Sequence, residues 1–264
     1  MPNRRFVNLR QYQQSPDDRS QNRLEWLKEE LDRGNISSKQ LELVAYLGDL
    51  EAKTLVDVRE SPNLEDLRSW LYGLNMGGKA ALVRICCPFA RDCLSHWHSC
   101  ISDWHSDKNR QSNGNMEWFD RLPREEWFEN FSKAVEVSER WVLQPSRESV
   151  RLATKLQHQL YDILCQIDLL CSEGDFPDEG LYIAQVAYYT IGATAWTVDE
   201  ATADYIELGK LAEVEAIANA GPAYEMVETV TIANKILKQK DDDIRSRIQE
   251  ILLPWIFNLE GADC

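Results

Sequence analysis

The densest group of side chains able to bind a metal or attack an electrophile is Cys86, Cys87, Cys93, His96, His98, Cys100 and His105. Thiolate and imidazole are the ligands zinc prefers. Cys86, Cys93 and Cys100 recur every seven residues, and His96 lies three residues after Cys93 and four before Cys100, so on a helix Cys93, His96 and Cys100 share a face and offer three ligands of a tetrahedral site. The chain has no Cys-x-x-Cys pair, however, and small cysteines at heptad spacing suit a tightly packed helix. The expectation is therefore no metal, with Cys93, His96 and Cys100 as the residues a site would use. A nucleophile needs a base set against it from another element, whereas Cys93 and His96 share one helix. Gly77-Gly78-Lys79 lacks the upstream glycine spacing and the following Ser or Thr of a phosphate loop, no Gly-x-Ser-x-Gly elbow occurs, and no Glu-x-x-His pair is present for a di-metal bundle. No catalytic residue and no cofactor are expected. A metal-dependent or thiol enzyme centred on the Cys93/His96/Cys100 face is the alternative.

The second chemical feature is charge. The chain has 29 Lys plus Arg against 44 Asp plus Glu, a net charge of −15, which opposes binding to nucleic-acid phosphates and to anionic lipid. Residues 1–110 are neutral, with 16 basic and 16 acidic side chains, so the whole excess lies in residues 111–264. Within 173–234 the single basic residue is Lys210, against twelve acids. Helix faces so depleted of Lys and Arg cannot neutralise themselves through pairs four residues apart. Their self-repulsion is relieved by a basic partner, which the same field would steer in. Asp199, Glu200, Asp204, Glu207, Glu213, Glu215, Glu225 and Glu228 are the predicted partner-binding residues. Nine Trp, most of them within residues 70–141, supply core or interface anchors.

The elements that must position these groups read as helices throughout. Apolar residues recur at three- and four-residue spacing, and alternating strand patterns bounded by Asn-Gly or Asp-Gly turns are absent. Leu24, Leu27 and Leu31 mark a helix over 20–33 that stops at Gly34-Asn35. Ser37 and Gln40 form a capping box for the next helix, and Gly48-Asp49 ends one helix and caps another within LELVAYLGDLEAKTLV. Asn63 is placed to cap a helix presenting Leu67, Trp70, Leu71 and Leu74, followed by a long apolar helix over 79–104. The polar stretch 106–115 reads as a loop or hinge between a neutral part, 1–105, and an acidic bundle, 116–264, which can also be one continuous domain. Pro123 opens a helix that Pro145 closes, and helices are predicted over 147–172 and 179–197. Two more, 199–219 and 223–239, are expected on either side of Gly221-Pro222, and a last one over 244–253 before Pro254-Trp255. Gly180 to Val198 carries no charge for nineteen residues, but its flanks hold acids instead of Lys or Arg anchors, so it reads as a buried core helix and not as a membrane span. The fold class is all-α, a bundle or short solenoid-like array of about ten helices.

The stretches LELVAYLGDLEAKTLV, WLYGLNMGGKAALVRICCPFARDCL and IQEILLPWIF together resemble a group of bacterial all-helical proteins with a Gly-Asp helix pair and a C-terminal Leu-Pro-Trp motif. More distantly, the middle and C-terminal parts resemble helical immunity-type proteins of bacterial conflict systems. The resemblance implies a helical architecture and a protein-binding role, and assigns no catalytic or ligand residue. Seven cysteines, an odd number that includes an adjacent pair, with no apolar leader in the first twenty residues, point to reduced thiols in the cytoplasm. The expected function is a non-enzymatic adaptor, inhibitor or regulatory subunit binding a basic protein, possible as part of a larger complex, without direct contact to nucleic acid or membrane.

Overall fold

A computed structural model describes residues 16–56, 66–111, 121–197 and 211–257; for residues 16–22, 108–111 and 211–219 it describes the helical backbone alone. The described chain is helical: α1 (Pro16–Asp32), α2 (Ser38–Tyr46), α3 (Leu50–Leu55), α4 (Leu67–Gly73), a 3₁₀ turn over Leu74–Gly77, α5 (Gly78–Ser95), α6 (Trp97–Gln111), α7 (Arg124–Leu143), α8 (Arg147–Ser172), α9 (Asp178–Ala195), α10 (Leu211–Leu237) and α11 (Asp241–Ile256). It divides into two compact units, one of residues 1–62 with 252–264 and one of residues 63–251. The boundaries thus fall at 62/63 and within α11, not at 106–115. The reason is packing: α5, from before the expected hinge, lies against α7, α9 and α10 from after it, all inside the larger unit.

The smaller unit follows its local signals. Ser37 accepts the Gln40 amide and its own backbone N–H donates to the Gln40 side chain, closing the predicted capping box. Gly34 and Gly48 take φ values of +69° and +107°, the left-handed turns that end α1 and α2. Asp49 caps α3 through the Ala52 amide at 2.8 Å and also accepts from Arg23 Nε at 2.8 Å. The Arg23 guanidinium lies over the Trp26 and Phe257 rings, which meet edge to face at 5.1 Å.

The larger unit is organised around α9. Its uncharged sequence is explained by position: α5, α7, α8 and α10 all pack on it, burying Leu181, Ile183, Val186, Ile191 and the small residues between them. The polar members are satisfied internally, since Thr190 donates to Val186 O at 2.7 Å and Thr194 to Ser138 Oγ at 2.9 Å. No helix among the described residues is long and apolar enough to cross a membrane.

Four local expectations are corrected. Asp66, whose carboxylate accepts from the Arg68 and Ser69 amides, caps α4, while Asn63 lies outside the described residues. The helix expected over 79–104 is two helices meeting at His96. Gly221-Pro222 does not divide α10, because proline costs a single intrahelical bond there and Gly221 sits flat under the Trp196 indole, so packing outweighs the local break. Pro254 likewise lies inside α11.

Candidate functional site

The Cys/His helix comes first, because the sequence concentrates reactive groups there. Cys86, Cys87, Cys93 and Cys100 are all buried, and His96 is exposed at the junction of α5 and α6, so the three residues of the predicted face are not brought to a common point. Among the described residues no group of three or more His, Cys, Asp or Glu is placed to hold a metal ion. Burial pushes the thiols of Cys86, Cys93 and Cys100 up to about 12, which keeps them protonated and non-nucleophilic at neutral pH. Trp97 packs among Phe128, Phe131 and Phe176, with the Phe131 ring 5.3 Å away, and Trp104 reaches Phe176 at 6.5 Å. This end of the unit is a core.

The exposed face of α8, α9 and α10 is different. Tyr161 of α8, Tyr188 and Tyr189 of α9, and Tyr224 of α10 form a ladder of rings with successive centroids 6.3, 5.5 and 6.2 Å apart. The sequence makes this geometry unavoidable once the helices are packed. Tyr188 and Tyr189 are consecutive, so they splay about 100° apart on α9, one toward each flanking helix. The outer rungs are open, Tyr161 being 55% and Tyr224 46% exposed, far above what a core ring tolerates. Cys165 and Leu169 continue the Tyr161 side of α8 at four-residue spacing, both exposed. Burial raises the Tyr189 phenol to about 12 and also raises Tyr188, so these two inner rungs are uncharged in the physiological range.

Two predicted acids adjoin the ladder. Glu228 is held by the Arg68 guanidinium of α4, which also lies over the Tyr72 ring at 5.9 Å. Glu225 is turned inward. Its Oε2 is sealed from solvent and has no hydrogen-bond partner among the described residues. Burial, and secondarily the charge of Glu228, lift its carboxyl from the usual carboxylate range to about 8. The space it occupies exists because position 192 is glycine: a methyl there would come within 2.9 Å of Glu225 Cδ and Oε2 and of Gln157 Nε2. Glu213 and Glu215 fall on the backbone-only part of α10, and Asp199, Glu200, Asp204 and Glu207 lie outside the described residues. Of the predicted acids, Glu225 and Glu228 are thus placed beside four tyrosines and Gly192 that the sequence reading did not single out. The available signal was a Tyr-Tyr pair in an otherwise small-residue helix.

Fold and face together define an all-α protein with a tyrosine-lined helical surface. Comparison of the chain with protein-family models, with curated proteins and with solved structures gives no match.

Proposed function

We propose that this chain is a non-enzymatic protein-binding factor, an adaptor, inhibitor or regulatory subunit of the immunity-like kind its sequence resembles, and that it engages a basic protein. The observation that supports this reading is the tyrosine ladder, a rigid aromatic surface open at both ends and set beside carboxylates on the most acidic stretch of the chain. Tyrosine supplies contact area with only two side-chain torsions to immobilise and an attractive π-face for Lys or Arg, which is why it anchors interfaces. The net charge of −15 would speed encounter with a basic partner and make the association weaken as salt rises.

The test is retention of partner by the tagged chain at low and high salt, comparing wild type with the Tyr161→Ser/Tyr224→Ser double variant. A basic protein held at low salt, released at high salt and lost by the variant is the expected result. The same protein held equally by the variant removes the ladder from the interface.

A further inference from the structure

Resting on the basic-partner reading, we propose that Glu225 is a retractable anchor for an arginine of that partner: its carboxyl rests in the notch left by Gly192 and swings out to the tyrosine ladder to pair with the incoming guanidinium. The step balances as carboxylic acid plus guanidinium cation giving a carboxylate–guanidinium pair and one free proton.

The geometry carries this in three ways. A buried carboxyl oxygen without a partner is costly, so at Oε2 the resting position forgoes a hydrogen bond that the extended one can make. The notch holds the retracted carboxyl beside the Gln157 amide, the side-chain ends of both converging on the missing Cβ of Gly192. A carboxyl swung out would meet aromatic rings on both sides, since Glu225 lies within electrostatic reach of Tyr188 and Tyr189, the first neighbouring Tyr161 of α8 and the second Tyr224 of α10. A guanidinium stacks on such rings while donating to a carboxylate, and is more weakly hydrated than an ammonium, so arginine fits this setting better than lysine.

Titratable groups face Glu225 from the helices packed around it. From α5 comes Cys86 and from α8 Cys165, beside Tyr161; from α9 come Tyr188 and Tyr189, and from α10 Tyr224 and Glu228, the last held by Arg68 of α4. Cys86 and Tyr189 lie near 12, Tyr161 and Tyr188 are raised above the ordinary tyrosine value, and no histidine is among these neighbours. The Glu225 carboxyl, raised to about 8, titrates near neutrality.

The experiment is calorimetric titration of the full chain with a nona-arginine peptide, in buffers of low and high ionisation heat at pH 7 and then from pH 6 to 9. Wild type is expected to release close to one proton per chain at pH 7, with affinity rising about tenfold per pH unit up to about pH 8 and level above it. Glu225→Gln, an isostere of the neutral acid, should still bind the peptide through the remaining acidic field but release no proton and show a flat profile. Gly192→Ala, which displaces only flexible side-chain ends, should expel the carboxyl and reach the plateau affinity at lower pH. A nona-lysine peptide should release fewer protons at equal occupancy. Binding by wild type without proton release, or proton release that persists in Glu225→Gln, overturns the anchor and leaves the basic-partner reading standing. No binding of either peptide at low salt overturns both.

Discussion

Two helices of the larger unit each withdraw ionisable groups from water, and they do so to different ends. On α5, Cys86, Cys87 and Cys93 vanish into a core, and burial raises Cys86 and Cys93 to about 12, beyond any physiological titration. On α10, Glu225 is withdrawn by the same physical effect, yet its carboxyl stops near 8, inside the physiological range, with an oxygen left unpartnered and an aromatic surface beside it. Desolvation disfavours the charged form in both cases. What differs is the starting point: a thiol moved up by three units becomes inert, while a carboxyl moved up by a similar amount becomes responsive near neutrality. Density of reactive residue types in a sequence is therefore a poor guide to where titration happens.

The largest effect that would test this contrast is on stability. Because the folded Glu225 carboxyl binds its proton more tightly than the unfolded one, its contribution is full at acid pH, is lost as pH climbs from about 4.5 to about 8, and is constant above that. Wild type should lose on the order of several kcal/mol across this window. Glu225→Gln should be the more stable protein at pH 8, its thermal midpoint nearly level between about pH 5 and about pH 8, the pH at which the buried Lys79 begins to titrate. Parallel pH profiles for the two proteins would mean that Glu225 titrates as an ordinary surface carboxylate, and the contrast with α5 would disappear.

A smaller effect is expected from Cys93→Ser, which keeps the shape but buries a hydroxyl among apolar neighbours, at a cost of about 1–3 kcal/mol by denaturant unfolding. Cys93→Ala should cost less than the serine variant. Should serine prove the milder change, the α5 site would be more polar than its packing indicates. The smallest stability effect belongs to Tyr161→Ser with Tyr224→Ser: both rings are about half in solvent, so the pair should change stability by no more than about 1 kcal/mol even while removing the outer rungs of the ladder. A large loss would assign these rings to folding and not to recognition.

The sequence carried the fold class and most helix ends, because these depend on short-range chemistry. The Ser37–Gln40 box, the Asp49 cap, the left-handed glycines at 34 and 48, and the full span of the helix over 147–172 are local events, readable within a few residues. The uncharged run after Gly180 read correctly as a core helix because acids, and not Lys or Arg anchors, flank it. Where local signals met long-range packing, packing prevailed. Gly221-Pro222 looked like a break and instead lies in a continuous helix under the Trp196 indole, and a heptad of cysteines parted at His96.

Of the site, the sequence determined the acids and their sign, since charge is a property of composition. It could not order those acids by environment. That Glu228 meets Arg68, 160 residues away, and that Glu225 turns into a notch opened by Gly192, are consequences of three helices meeting. The tyrosine ladder is likewise tertiary: its four rings come from positions 161, 188, 189 and 224, and only the packing of α8 and α10 on α9 makes them neighbours. Composition and spacing fix which groups a chain possesses and which helix face each occupies; the dielectric around a group, and hence whether it titrates, is set by what the fold stacks on top of it.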